Sequence, residues 1–310
     1  MKKIFIDGKA GTTGLRIFER LGGRDDIQLI TLSEDQRKDT EARRGALNSA
    51  DIAFLCLPDA AAIEAVSLIE NPDTVVIDTS TAHRTSPDWT YGFPELSAER
   101  AQQIALSKRI AVPGCHASGF IALVYPLVEA GILSPDTALA CHSLTGYSGG
   151  GKSMIADYDS EARSPLLDAP RQYGLTQQHK HLKEMKAVCG IDQAPLFCPI
   201  VADFYSGMEV TVPLYASSLK NGATIADIAE IYRKKYNGPI VSFDEAMASD
   251  GFISAAALSG KDSMKVGVMG NDERLMLVAL YDNLGKGASG AAVQCLNMVM
   301  GNDPTFGLEI

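Results

Sequence analysis

Over the first 110 or so residues, short apolar runs alternate with helical stretches, and this alternation limits the possible folds more than any other feature of the chain. The runs at Lys3–Asp7, Gln28–Leu32, Ile52–Leu57, Val75–Asp78 and Arg109–Val112 are brief and rich in Ile, Val, Leu and Phe, as strands buried on both faces are. Between them the spacing predicts helices over Thr13–Leu21, Asp35–Asn48, Ala60–Glu70 and Ala98–Ser107, the last with Ser97 as its N-cap. Strand and helix repeated in this way give a doubly wound parallel sheet, an α/β domain. Beyond Pro113 the pattern changes. Strand-like runs at Thr137–Thr145, Leu196–Ala202, Met208–Leu214, Lys265–Gly270 and Arg274–Tyr281 outnumber helices, which predicts an α+β domain with a mixed or largely antiparallel sheet. The tail Lys286–Met300 has apolar residues at helical spacing and is expected to return to the first domain.

With 46% apolar residues over 310 positions, the chain can bury two sizeable cores. Its 28 Lys and Arg against 38 Asp and Glu give a formal charge of −10, which repels nucleic acid and anionic membranes. An anionic small substrate must therefore be held by a few placed cations or backbone N–H groups. The opening Met1-Lys2-Lys3-Ile4-Phe5-Ile6 is cut by Asp7 and Gly8, too early for an export signal, and no apolar run has the length of a membrane helix. Six cysteines without CxxC spacing do not form a disulfide framework, so a cytoplasmic location is expected.

The segment Gly8-Lys9-Ala10-Gly11-Thr12-Thr13-Gly14 places glycines three apart, at the turn from the first strand into the first helix. Glycines there let backbone N–H groups of Gly8, Gly11, Thr12, Thr13 and Gly14 approach a pyrophosphate at the positive helix end, the Rossmann arrangement for a dinucleotide. After the second strand the chain reads Ser33-Glu34-Asp35-Gln36-Arg37-Lys38. Arg37 offers a cation and Ser33 a hydroxyl to a 2′-phosphate, which favours NADP over NAD. Ser80-Thr81-Ala82-His83-Arg84 follows the fourth strand on the side where such sheets take ligands. Ser80 is placed near the cofactor and Arg84 is the candidate grip for a substrate phosphate. The loop Gly146-Tyr147-Ser148-Gly149-Gly150-Gly151-Lys152 has the composition of a phosphate cradle, without the spacing of a P-loop.

Val112-Pro113-Gly114-Cys115-His116 turns into an apolar helical run from Phe120 to Ala130 and leaves Cys115 near a helix N-terminus. A helix dipole favours the thiolate there, and the same N–H groups suit an oxyanion, so Cys115 is the candidate nucleophile. Cys56, Cys141, Cys198, Cys189 and Cys295 lie in apolar strand or helix patterns and are expected in the core. The pairs Cys115-His116 and Cys141-His142 raise a metal site as a rival, but adjacent residues on a strand face opposite ways, and none is expected. His83, His116 and His142 are taken as structural. Tyr173–Met185 is predicted to be one helix, on which His179 and His181 face apart while His181 and Glu184 share a face. His181 is then the acid/base, Glu184 its carboxylate partner, and His179 falls to the substrate side.

The segments GKAGTTG, STAHR, YGFPEL, VPGCHASG, TGYSGGGK, HKHLKEM and DNLGKGASGAAVQ, in that order, resemble the shorter form of the N-acetyl-gamma-glutamyl-phosphate reductases over nearly the whole chain. The resemblance implies a Rossmann NADP-binding domain over 1–114, completed by a helix in 285–310, and a catalytic and oligomerisation domain over 115–284. It implies NADPH-dependent reduction of N-acetylglutamyl 5-phosphate to the semialdehyde in arginine biosynthesis, through a thioester on Cys115 with His181 as acid/base. It places Arg84 on a phosphate-binding Arg, Ser148 and Asn283 near the cofactor, and predicts a homodimer or homotetramer. Two alternatives stay open: an aspartate-semialdehyde dehydrogenase or other acyl-phosphate reductase, and a non-catalytic NADP sensor on the same scaffold. The longer form reads HRHxPE where this chain has His179-Lys180-His181-Leu182-Lys183-Glu184, so the bend imposed by Pro is missing here.

Overall fold

The computed structural model describes all 310 residues, which group into two units, Met1–Pro113 with Ala288–Gly307 and Gly114–Gly287 with Leu308–Ile310. In the first unit, strands β1 (Lys2–Asp7), β2 (Ile27–Ile30), β3 (Ile52–Leu55), β4 (Val75–Asp78), β5 (Thr90–Tyr91) and β6 (Arg109–Ala111) form one sheet in the order β2-β1-β3-β4-β6-β5. Every pairing in it is parallel. Helices α1 (Thr12–Leu21), α2 (Thr40–Ser49), α3 (Asp59–Ser67) and α4 (Ala98–Leu106) connect the strands. All four residues of β3 are buried, as a strand covered on both faces requires. Ser97 caps α4 by accepting the Arg100 N–H at 3.0 Å.

The helix expected over Asp35–Asn48 is instead two pieces. A single 3₁₀ turn, Gln36–Lys38, ends at Asp39, whose extended backbone and side chain, accepting from Ala42 N–H at 2.7 Å, start α2 afresh. A capping aspartate inside a periodic stretch breaks it by offering the backbone a better partner than the next helical turn.

The second unit opens with α5 (Cys115–Glu129), followed by β7 (Ala140–Gly146), α6 (Gly151–Asp159), β8 (Arg171–Gln172), α7 (His181–Cys189), β9 (Leu196–Ala202) and β10 (Met208–Tyr215). It continues with α8 (Ile225–Lys235), β11 (Val241–Phe243), β12 (Met264–Gly270) and β13 (Arg274–Tyr281). The sheet order is β11-β12-β13-β10-β7-β9-β8, with β7–β9 and β11–β12 parallel and the other pairs antiparallel, so the sheet is mixed. In β7, Cys141, Ser143 and Thr145 are buried while His142 is exposed. That alternation puts Cys141 and His142 on opposite faces. Helix α5 packs on β10 and β13 and against α7 and α8. A π-helical turn at Gly285–Ser289 precedes α9 (Gly290–Met300), which belongs to the first unit and packs on α4 and α1. No helix is long and apolar enough to cross a membrane.

Candidate active site

Pro113 and Gly114 carry the chain out of β6, and the extended backbone of Gly114 leaves Cys115 as the first residue of α5. The helix therefore starts five residues earlier than the apolar run from Phe120 suggests. No side chain caps this end, and the first turn holds no acidic residue, so its N–H groups suit developing negative charge. The turn is pinned from the sheet: Tyr281 Oη donates to the Cys115 carbonyl at 2.6 Å and accepts the Gly119 N–H at 3.1 Å. Gly287 fits against the nucleophile. A Cβ there would lie 3.1 Å from Cys115 Cβ and 3.0 Å from the Asp282 carbonyl oxygen. Gly287→Ala is accordingly expected to displace Cys115 and lower kcat about tenfold, with little loss of thermal stability, as steady-state assays and melting curves would show.

The other thiols differ. Cys141, Cys189 and Cys295 are buried, and burial pushes the Cys56 thiol up to about 12 and those of Cys141 and Cys189 above their usual range. None of those three is a thiolate at neutral pH.

The continuous helix predicted over Tyr173–Met185 is corrected by the structure, in which α7 begins only at His181. Gln177 has φ +56° and the 173–180 segment runs as turns, so helical geometry does not separate the two histidines. Their rings lie 4.7 Å apart, and both neighbour the buried His116, at 5.6 Å for His179 and 5.5 Å for His181. The pairing of His181 with Glu184 is present, with Nε2 to Oε1 at 4.0 Å. Glu184 is 1% exposed, and its other oxygen accepts the Gly114 N–H at 3.1 Å. One carboxylate thus touches the residue before the nucleophile and faces the imidazole. Near the same end of the sheet, buried Asn283 donates to Ser148 Oγ at 3.0 Å and accepts the Gly207 N–H at 2.9 Å, fixing the loop in which Gly149 follows.

In the first unit, Gly8 ends β1 with φ +86°, and any Cβ there would come 2.2 Å from the Cys56 carbonyl oxygen. Only glycine serves. Gly11 N–H closes the turn on Gly8 O at 3.0 Å, and α1 starts at Thr12 and Thr13 with no side-chain cap and no acidic residue in its first turn. An open cavity of about 910 Å³ beside this turn is lined by Gly8, Lys9, Phe18, Arg37, Lys38 and Arg43, among others. An anion-receptive helix end and cations around a cavity of that size fit a dinucleotide phosphate. Arg43, 8% exposed and bonded to Asp7 at 2.9 Å, was not singled out from sequence. Ser33 binds Gln36 Oε1, and Arg37 lies 3.6 Å from Glu34 on the surface. Ser80 Oγ donates to Asp78 Oδ2 at 2.7 Å; that carboxylate oxygen also meets His83 Nδ1 at 2.7 Å, and His83 stacks on Trp89 at 4.1 Å. Arg84 donates from Nε to Val112 O and from Nη2 to Thr79 O, each at 2.9 Å, and so ties together the ends of β4 and β6.

Two family models cover most of the chain: residues 30–104 match the semialdehyde dehydrogenase NAD binding domain, and residues 115–283 match the semialdehyde dehydrogenase dimerisation domain. Curated relatives align from end to end. The N-acetyl-gamma-glutamyl-phosphate reductase of Trichormus variabilis is 45% identical over 99% of this chain and 99% of its own length. That of Sinorhizobium medicae is 45% identical over 96% of this chain and 98% of its own. Among solved structures, aspartate semialdehyde dehydrogenase II of Vibrio cholerae has a TM-score of 0.71 at 16% identity, covering 97% of this chain and 99% of that one. The Candida albicans aspartate semialdehyde dehydrogenase, solved with NADP, has 0.68 at 15%, covering 97% and 98%. At such identities the structural likeness speaks for the fold.

Proposed function

The chain belongs to the N-acetyl-gamma-glutamyl-phosphate reductase family, and from that premise we propose that Cys115, His181 and Glu184 reduce N-acetyl-L-glutamyl 5-phosphate to N-acetyl-L-glutamate 5-semialdehyde with release of phosphate, an NADP-dependent step of arginine biosynthesis. The observation that carries this reading is the near-complete alignment to those reductases, together with a cysteine at an uncapped helix end beside a His–Glu pair.

The Cys115 thiolate attacks the acyl carbonyl while the α5 N–H groups receive the oxyanion. The C–O bond to phosphate then breaks, phosphate leaves and takes one proton from solvent, and a thioester remains on Cys115. NADPH, when bound, supplies the hydride that reduces this thioester. His181 gives a proton to the thiohemiacetal oxygen and takes it back as the C–S bond breaks, freeing the aldehyde and the thiolate. Glu184 orients His181 and supports its charged form.

Gly8, Gly11, Thr12, Thr13 and Gly14 are assigned to the cofactor phosphates, Ser33 and Arg37 to the 2′-phosphate, and Ser80, Ser148, Gly149 and Asn283 to the remainder of the cofactor. His179 and Arg84 are assigned to the substrate. The backbone bonds of Arg84 give it a structural task as well, which a phosphate contact has to share. Exposed Leu196, Tyr215 and Met276 border an open, mainly apolar groove in the second unit, which supports pairing with a second copy in a homodimer or homotetramer. A cytoplasmic location suits an enzyme with reactive free thiols.

The test is oxidation of N-acetylglutamate semialdehyde and of aspartate semialdehyde, each with NADP and with NAD, with and without phosphate. The expected result is phosphate-dependent NADP reduction with the acetylated aldehyde, its kcat/KM at least about 10²-fold above the other combinations. A higher kcat/KM for aspartate semialdehyde would overturn the substrate assignment.

A further inference from the structure

His116 follows the nucleophile and is 3% exposed, yet both of its ring nitrogens have partners: Nδ1 lies 2.6 Å from Ser143 Oγ and Nε2 lies 2.5 Å from Tyr173 Oη. These three residues come from three elements brought together by the sheet register. Ser143 on β7 pairs with Pro199 on β9, and Tyr173, just past β8, continues the other edge by donating its N–H to Pro199 O at 3.0 Å. Ser143 and Tyr173 therefore flank Pro199 on one face of the sheet, and His116 spans them from α5.

The polarity of this chain follows from counting hydrogens. Burial, with His179 close by, holds the His116 ring neutral by depressing its pKa to about 3, so one nitrogen carries a proton and the other accepts one. Ser143 is fully buried, and its hydroxyl has no partner besides His116. A proton on Nδ1 would occupy the serine oxygen and leave the serine's own proton without an acceptor. A proton on Nε2 satisfies every group: Ser143 donates to Nδ1, and Nε2–H donates to Tyr173 Oη. The tyrosine hydroxyl accepts from His116 and makes no other hydrogen bond within the chain, so its own proton is available for donation. Burial and the neighbouring Cys115 charge both keep this phenol protonated.

We propose that Ser143, His116 and Tyr173 form a chain of fixed polarity whose terminal Tyr173 O–H donates a hydrogen bond to the carbonyl oxygen of the acyl group as it joins and leaves Cys115. Tyr173 is a catalytic residue in this scheme, and Ser143 and His116 are positioning residues. The proton stays on Tyr173; the electron pair that the thiolate pushes onto the carbonyl oxygen is held by that bond, and by the α5 N–H groups, until the leaving group departs. The proposal rests on Cys115 as the acyl-bearing thiol and is independent of which acyl phosphate is the natural substrate.

Two reactions of Cys115 separate this role from a structural one. Acylation by p-nitrophenyl acetate passes through a carbonyl oxyanion, whereas alkylation by iodoacetamide does not. Tyr173→Phe is expected to slow single-turnover acylation about 10²-fold while alkylation stays within about twofold of wild type. Ser143→Ala lets the His116 proton move to Nδ1 and turns the Tyr173 O–H inward onto Nε2; about a tenfold slower acylation is expected, and the double variant should be no slower than Tyr173→Phe alone. Unchanged acylation in Tyr173→Phe would overturn the proposal. So would a parallel fall in alkylation, which would mark damage to the thiol's surroundings. A wild-type protein that is acylated but does not oxidise N-acetylglutamate semialdehyde would remove the substrate assignment and leave the hydrogen-bond chain standing.

Discussion

Cys115→Ala is expected to lower phosphate-dependent oxidation of N-acetylglutamate semialdehyde by about 10⁴-fold or more, to the detection limit of an NADPH absorbance assay. Four of the other five thiols are poorly placed to replace this sulfur. The thiols of Cys56, Cys141 and Cys189 are driven upward in pKa by burial, and Cys295 is buried against the Gly92 carbonyl. Hydride transfer to an acyl phosphate without a thioester forfeits the division of one hard step into two easier ones. The residues assigned to the dinucleotide phosphates, Gly8 to Gly14, lie on the turn between β1 and α1, and Cys115 lies on α5. The NADPH dissociation constant, measured by fluorescence titration, should therefore stay within about twofold of wild type. Retained turnover would remove Cys115 from the role; lost NADPH binding would show that the variant had disturbed the fold instead.

The first unit was legible in the sequence because its signals are local. Five of its six strands are short apolar runs, and two of the helices between them carry side-chain caps, Asp39 for α2 and Ser97 for α4, whereas the two-residue β5 has no run of its own. The error over Asp35–Asn48 arose where periodicity ran through a capping aspartate. In the second unit the main strands β9, β10, β12 and β13 were readable from their apolar runs. The two-residue β8 and three-residue β11 were not, since edge strands so short carry no period of their own.

The nucleophile was readable because a Pro-Gly turn, a cysteine and an apolar helix are consecutive in the chain. The groups around it were not. Tyr173 and Ser143 meet His116 only through the register of β7, β9 and β8, at sequence separations of 57 and 27 residues from it. In the sequence His116 reads as structural once a metal site is not expected, because nothing there shows what lies opposite it. The opposed faces assigned to His179 and His181 depended on a helix that Gln177, at φ +56°, does not permit. Gly287 and Tyr281 likewise act through contacts made across the tertiary fold.

His181→Asn should lower kcat about 10³-fold, within the range that positioned proton transfer contributes, and the companion variant Glu184→Gln tests how that histidine is controlled. Glu184 Oε1 stands 4.0 Å from His181 Nε2, too far for a hydrogen bond but close enough for its charge to be felt, and Oε2 accepts the Gly114 N–H. Glutamine retains an acceptor for that N–H and loses the charge, so Glu184→Gln is expected to cost kcat about 10- to 100-fold with little change in melting temperature. Glu184→Ala also strips the buried Gly114 N–H of its acceptor, and should cost a further ~1–3 kcal/mol of stability. Because Glu184 acts through His181, the double variant His181→Asn with Glu184→Gln should be no slower than His181→Asn alone. Fully additive losses would mean that the carboxylate reaches the reaction by another route, the Gly114 turn that carries the nucleophile being the nearest one, and His181 would no longer be its point of action.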